Sequence, residues 1–482
     1  MRRLASWTAS ALLLAAGGAP LSADVISGWH DVYLDTIRLT GGPPGPISRS
    51  GAMLGVAMFD AVNAIDLARN PNKGYQSYQQ GIVAPNANAS KKAAAAAAAH
   101  QVFTNLYGSG ASNPNAALQA MYDARLASDL AGIDDSMGQR TAGVALGVSV
   151  AQSLIALRAA DGHDNNTPYT PGTHAGDWRP SPDLPPGTQA AGPNWGNVTP
   201  WALTSPDQFR PTRFVDEFNM DMDTMMHSQA YADQINGGNG VQFGVKDFGS
   251  RDSAVRTAEQ TEIAWFWAND RDGTSKPPGQ LVQITQNVAS QEGLGLSARA
   301  RLFALVGIGQ AEAGIAAWDS KYNTPIDLWR PIEAIREPED DGNALTLADP
   351  TWLPLNDFTP PFPAYVSGHA TFGAVHAAIM AGFFGTDNIS FTIGSDEFGV
   401  NPGLGYDAGL TRSFSSFSEA AWENAISRIF LGVHFEWDAV DGNILGHNVG
   451  DYIFANYLLR VPAPGGAALL LTGLLASTRR RR

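Results

Sequence analysis

Apolar residues recur at helical spacing through most of the chain, and alternating strand-like runs are scarce. Five segments carry the pattern most clearly: GAMLGVAMFDAVNAI (51–65), KKAAAAAAAHQVFTNLY (91–107), TAGVALGVSVAQSLIALRAA (141–160), SARARLFALVGIGQAEAGIAAW (297–318) and FSEAAWENAISRIFLGV (417–433). Each combines strong helix formers with apolar positions three and four apart. The stretch from His163 to Pro211 breaks the pattern. It is rich in Pro, Gly, Asn and Asp, and reads as a long surface loop between an N-terminal and a C-terminal helical half. No repeat of fixed period occurs, and the alanine run at 93–99 reads as simple helix. The pattern predicts an all-α fold of helical bundles, with an N-terminal helical region over 24–230 and a second helical domain over 231–460.

Both ends depart from this pattern. MRRLASWTASALLLAAGGAPLSADV has a basic start, an apolar middle and small residues near Ala23, which predicts a secretory signal over 1–23. At the other end, Val461-Pro462-Ala463-Pro464 precedes an apolar run from Gly465 to Ala476 and then Arg479 to Arg482. That run is short for a bilayer span. Residues 461–482 resemble the VPxP and PEP-CTERM sorting signals of Gram-negative bacteria. The resemblance implies export to the periplasm, cell envelope or exterior, with translocation machinery and a sorting protease as partners.

With 482 residues the chain can bury a large core. A net charge of -15, with no basic block before the last four residues, argues against a nucleic-acid partner and makes any anion site local. The absence of cysteine excludes disulfides, zinc-thiolate and iron–sulfur sites, and thiol catalysis.

Three C-terminal segments place polar groups where the helical pattern would otherwise call for apolar ones: AWDSKYNTPIDLWRPIEAIRE (317–337), PPFPAYVSGHATFG (360–373) and SRIFLGVHFEWDAVDG (427–442). Ser367 and Gly368 directly precede a predicted helix, so their backbone N–H groups favour an anion, although Ser367 could equally be a helix cap. Lys321, Arg330 and Arg428 lie beside Trp or aliphatic residues, and buried cations need an anion to offset desolvation. Ordinary ion pairs with Asp319, Asp327, Glu333 or Glu423 are the alternative. His434 and Asp438, four apart, would share a helix face, with the carboxylate holding one ring nitrogen. Gly432 would let the chain turn just before His434.

Together, Lys321, Arg330-Pro331, Ser367-Gly368-His369, and Arg428 followed six positions later by His434 resemble the signature of two related families. These are the vanadium-dependent haloperoxidases and the type 2 phosphatidic-acid or bacterial acid phosphatases. The longer runs WRPIEAIR, PPFPAY with SGHATFG, and WENAISRIFLGVHF are similar to the haloperoxidase branch, chloroperoxidase-like, over roughly Trp265 to Val449. The resemblance implies a vanadate cofactor in the C-terminal bundle. His434 would bond vanadium, while Lys321, Arg330, Ser367, the Gly368 N–H and Arg428 would hold its oxygens. It further implies His369 as the acid–base group, Asp270 supporting Arg428, Asp438 supporting His434, and Trp318 and Phe362 as aromatic positions of a halide pocket. Hydrogen peroxide, a halide and a small organic molecule would be the substrates. Two other readings stand beside it. One is a phosphatase with His434 as nucleophile and His369 protonating the leaving alcohol; the other is a catalytically silent envelope protein. The sequence departs from the family pattern twice: Lys321 and Arg330 are nine apart where many relatives have seven, and Val366 stands where proline is frequent.

Overall fold

The computed structural model describes residues 24–337 and 341–461. The predicted signal segment and the sorting tail from residue 462 onward lie outside them. The first half carries α1 (Val25–Thr40), α2 (Pro44–Arg69), α3 (Lys91–Leu106), α4 (Ala116–Ala131) and α5 (Met137–Leu157), then the short α6 (Arg213–Phe218), α7 (Met222–Met226) and α8 (Gln229–Asn236). The second half carries α9 (Val245–Phe248), α10 (Ala258–Phe266), α11 (Lys276–Gln291), α12 (Leu296–Tyr322), α13 (Pro331–Arg336), α14 (Gly368–Phe384), α15 (Asp396–Val400), α16 (Phe417–Phe430) and α17 (Glu436–Asn456). Strand structure is confined, among the described residues, to isolated bridges and one antiparallel pair, β1 (Phe391–Gly394) with β2 (Thr411–Phe414), in which Phe391 faces Phe414.

The two helical halves share one apolar core. α2 and α12 are long and apolar enough to cross a bilayer by composition, yet they lie against each other inside the protein. All of Ala93–Ala99 is buried, so the alanine run is a packing surface: α3 meets α5 and α2 closely because no side chain holds them apart. The Pro/Gly-rich stretch from 163 to 211 is folded onto the C-terminal half. Its Trp178 N–H donates to the Asp327 carbonyl (2.8 Å), its Ala191 N–H donates to the Pro361 carbonyl (2.8 Å), and its Gly176 carbonyl accepts from Trp329 (2.7 Å).

Near this junction α12 buries Glu312, whose Oε1 accepts the Ala202 and Leu203 N–H groups, while its Oε2 has no partner. Burial pushes its carboxyl up to about 7, against the pull of those N–H groups. The folded chain therefore holds a proton that the unfolded chain releases near pH 4.5, so stability from this group is full below that value and lost as pH rises to about 7. Glu312→Gln is expected to remove this loss. Relative to the parent, the variant should gain on the order of 3 kcal/mol between pH 4.5 and 8, measured by denaturant melts across that range; identical pH profiles would refute the assignment.

The closest helix pair carrying candidate chemistry is α14 with α17. Gly442, Gly446 and Gly450 form a stripe on α17 facing α14. A Cβ at Gly446 would fall 2.5 Å from the Thr371 carbonyl oxygen and 2.6 Å from the Ala374 Cβ. This contact fixes the start of α14 against the start of α17, where the Ser367 N–H donates to the Asp438 carbonyl at 2.9 Å.

Candidate active site

Five separate elements deliver the polar groups. Lys321 sits in the last turn of α12, Arg330 is the N-cap residue of α13, Ser367-Gly368-His369 opens α14, Arg428 lies in the last turn of α16, and His434 occupies the turn before α17. A cavity of about 40 Å³ is lined by Gly368, His369, Arg428 and His434 together with Asp270, Trp318, Phe362, Phe372 and three prolines, whereas Lys321, Arg330 and Ser367 are not among its lining residues. Lys321 and Arg330 approach past Phe362, with the Lys321 Nζ 4.9 Å and the Arg330 Cζ 4.7 Å from its ring centre. The Trp318 and Phe362 rings stand 5.0 Å apart, so the two expected aromatic positions form one wall.

The cations are buried, and the expected alternative of local ion pairs fails for Lys321 and Arg330. Asp319 is taken by Arg210, Asp327 by Tyr169 and Glu423 by Arg412, while Glu333 makes no ion pair among the described residues. Lys321 Nζ donates instead to the carbonyls of Pro363 (2.6 Å) and Ala364 (3.1 Å), which leaves one of its three protons free. Arg330 donates from Nε to the Phe362 carbonyl (2.7 Å) and from Nη1 to the Val433 carbonyl (2.5 Å). Arg428 donates from Nη2 to Asp270 at 2.7 Å, as the resemblance implied. Arg330 Nη2, Arg428 Nε and Arg428 Nη1 are buried with no acceptor among the described residues. Three unpartnered guanidinium donors, two on Arg428 at the cavity and one on Arg330 beside His434, are costly unless an oxyanion accepts from them. Of the two N–H groups expected to favour an anion, that of Ser367 is taken by the Asp438 carbonyl, and that of Gly368 at the start of α14 adds to this field. Ser367 combines both expected roles: its Oγ caps Ala370 N–H at 3.4 Å, and its hydroxyl proton remains available.

His434 and Asp438 do not share a helix face, contrary to the reading from their spacing. α17 begins at Glu436, so His434 precedes it. Gly432, at φ +79°, turns the chain out of α16 as its position suggested, a conformation that L side chains rarely adopt. Asp438 then reaches back from the third position of α17, its Oδ2 accepting both the Phe435 N–H (3.0 Å) and the His434 Nδ1–H (2.9 Å). With Nδ1 committed, the Nε2 lone pair faces the cations and accepts from Arg330 Nη1 at 3.1 Å. His369 donates from Nε2 to the Ala268 carbonyl at 3.2 Å, which leaves Nδ1 as its lone-pair nitrogen.

Burial and mutual repulsion set the charges. Burial, then Arg330, pushes the Lys321 ammonium well down, while burial raises the carboxyl of its neighbour Asp438. Burial, opposed by Asp438 and reinforced by Arg428, takes the Arg330 guanidinium down to about 10. His434 is pushed well below the usual histidine value by burial and by Arg330, Lys321 and Arg428. His369 falls to about 3 through burial and Arg428, so both imidazoles are neutral at neutral pH. Burial alone would raise Asp270, but Arg428 and His369 outweigh it and hold its carboxyl below the usual range.

Residues 301–460 match the VCPO second helical-bundle domain. Over 495 aligned positions, covering 85% of this chain and 78% of that protein, the sequence is 30% identical to the vanadium chloroperoxidase of Curvularia inaequalis. The chain belongs to the vanadium haloperoxidase family. Members are enzymes acting on peroxide with vanadate as cofactor. The fold agrees: the first bacterial vanadium-dependent iodoperoxidase superposes with a TM-score of 0.68 at 20% identity, covering 93% of this chain and 99% of that one. An apo-type bacterial vanadium-dependent chloroperoxidase superposes with a TM-score of 0.60 at 18% identity, covering 88% and 98%.

This haloperoxidase accommodates its unusual Lys321–Arg330 spacing in a turn. α12 ends at Tyr322, the Asn323 N–H closes on the Asp319 carbonyl, and Pro325 points outward, so both cations still reach the 362–364 carbonyls. Val366 is fully buried. Several supporting residues escaped sequence reasoning. Tyr365 donates to Asp441 Oδ2 (2.9 Å), and Arg213 clamps the same carboxylate through Nε and Nη2 (2.6 and 2.9 Å). Lys276 Nζ holds the Asp270 carbonyl at 2.7 Å. The four-residue spacing of Gly442, Gly446 and Gly450 was a readable signal for close helix contact. Nothing in the sequence paired Arg213 with Asp441.

Proposed function

We propose that this haloperoxidase oxidises chloride or bromide with hydrogen peroxide, releasing a hypohalous acid that halogenates a small organic molecule. The observation that carries this is the set of three buried guanidinium donors without acceptors beside a histidine lone pair, a combination suited to an oxyanion centred on a metal. Bound vanadate supplies the Lewis-acid centre at which peroxide becomes reactive toward halide. Arg330 Nη2, Arg428 Nε and Nη1, the third Lys321 N–H, the Ser367 hydroxyl and the Gly368 N–H would hold its oxygens, and His434 Nε2 would hold the metal. Those donors withdraw electron density from the oxygens they bind, and their burial strengthens the effect. Asp438 keeps His434 in the tautomer whose lone pair is on Nε2, and Asp270 orients Arg428. His369, neutral and with Nδ1 free, takes a proton as hydrogen peroxide arrives and returns it later. Trp318 and Phe362 give the halide a dry wall, which favours activation of weakly reducing chloride. Export with removal of residues 1–23, and sorting through residues 461–482, complete the reading.

The test is halide oxidation by vanadate-loaded protein beside phosphate-ester hydrolysis on the same preparation. Peroxide- and vanadate-dependent oxidation of bromide is expected, with chloride oxidised at mildly acidic pH. Strong hydrolysis without peroxide chemistry would replace this reading by a phosphatase. Oxidation of iodide alone would overturn the halide assignment and leave the vanadate site standing.

A further inference from the structure

Beside the active cavity lies a second, wider cleft of about 290 Å³, formed where the 163–195 segment crosses the start of α2. The two spaces share a partition. Pro44 lines the active cavity, while its neighbours Pro43 and Pro46 line the cleft. Trp318, part of the active-site wall, donates its indole N–H to the Ala191 carbonyl at 3.0 Å, and the residues flanking Ala191 line the cleft.

The cleft has its own chemistry. Its walls are flat and apolar, from Pro43, Pro46, Tyr169 and Trp195, and its remaining polar groups are mainly amides. Among the described residues, no carboxylate, ammonium or guanidinium side chain lines it. One imidazole, that of His163, lines this neutral surrounding. His163 Nδ1 lies 2.7 Å from Asp161 Oδ1, and Asp161 is buried and clamped by Arg49 Nε (2.8 Å) and Arg158 Nε (3.0 Å). The carboxylate therefore accepts the Nδ1 proton and fixes the tautomer in which Nε2 carries the lone pair.

We infer that this cleft binds the organic acceptor of the reaction, a neutral phenol, with its ring against the proline and aromatic faces and its hydroxyl on His163 Nε2. The inference rests on the haloperoxidase reading above for its supply of hypohalous acid. His163 Nε2 takes the phenol proton, which raises the electron density of the ring. A ring carbon then bonds the halogen as the halogen–oxygen bond breaks, and its electron pair leaves on hydroxide. The proton on His163 neutralises that hydroxide to water, and the ring proton moves to the phenoxide oxygen. The net change is phenol plus hypohalous acid to halophenol plus water. Binding beside the wall of the oxidising cavity lets halogenation compete with escape of the oxidant.

The first measurement is phenol binding to the vanadate-free protein by saturation-transfer NMR, compared with Gln189→Trp, an exposed position whose new ring fills the cleft. Saturable binding weakened about tenfold or more by Gln189→Trp is expected. The second is the ortho-to-para ratio of bromophenols made by the loaded enzyme against that made by added hypobromous acid; the ratios should differ. His163→Asn should weaken saturable phenol binding and slow phenol bromination by the loaded enzyme. Absent or non-saturable phenol binding, or an isomer ratio equal to that of free hypobromous acid, would overturn the inference. Saturable binding sensitive to Gln189→Trp in a protein that oxidises no halide would support the cleft and instead refute the haloperoxidase reading.

Discussion

His434→Ala is expected to weaken vanadate binding by about a thousandfold or more, about 4 kcal/mol. Its Nε2 lone pair is oriented by a buried carboxylate toward the Arg330 guanidinium, which also carries an unpartnered donor. The other nearby imidazole, His369, donates its Nε2–H to the Ala268 carbonyl, and in the proposed reading it serves the proton. His369→Ala should therefore keep affinity within about tenfold and lower turnover by about 10²–10⁴. Calorimetry and elemental analysis of dialysed protein measure the first effect, and steady-state kinetics the second. Equal affinity in both variants would refute the division of roles. The divergence is informative because both histidines are buried and neutral, so charge alone does not separate them.

The second large effect is structural. Gly446→Val is expected to destabilise the protein by about 3 kcal/mol or more, because neither backbone at the α14–α17 contact can yield to the new side chain. The strain falls between the element that carries Ser367–His369 and the one that follows His434, so vanadate affinity should fall together with stability. Gly138→Ala is the control. Nothing lies within 4 Å of the Cβ it adds in α5, so a small gain from the better helix former is expected. Denaturant melts with and without vanadate measure both; a Gly446→Val protein as stable as its parent would show that the helices can separate without cost.

The helices themselves were legible, because a buried helix in water must present apolar positions at its own period, and that period survives in a one-dimensional string. The charged and histidine residues of the site were also legible. Lys321, Arg330, Arg428, His369 and His434 interrupt apolar segments where an unpaired charge or imidazole is expensive, and such interruptions stand out without coordinates. Their spacing told less. The four-position step from His434 to Asp438 suggested a shared helix face, whereas the contact exists because Gly432 breaks the helix and Asp438 folds back over the new helix start. The alanine run of α3 looked like bare propensity until its neighbours were known.

By itself, then, the sequence determined the helix periods, the absence of thiol chemistry and the residue types of an oxyanion cage. Tertiary structure alone decided which partners those residues keep. It gave Asp319, Asp327 and Glu423 to other groups and left three guanidinium donors without acceptors. It also turned the 163–195 segment, which reads as a plain surface loop, into a wall between two cavities. The reason is physical: pairing between residues a hundred or more positions apart depends on how helices cross. Those crossings are set by the summed packing of many small contacts, which no local pattern records.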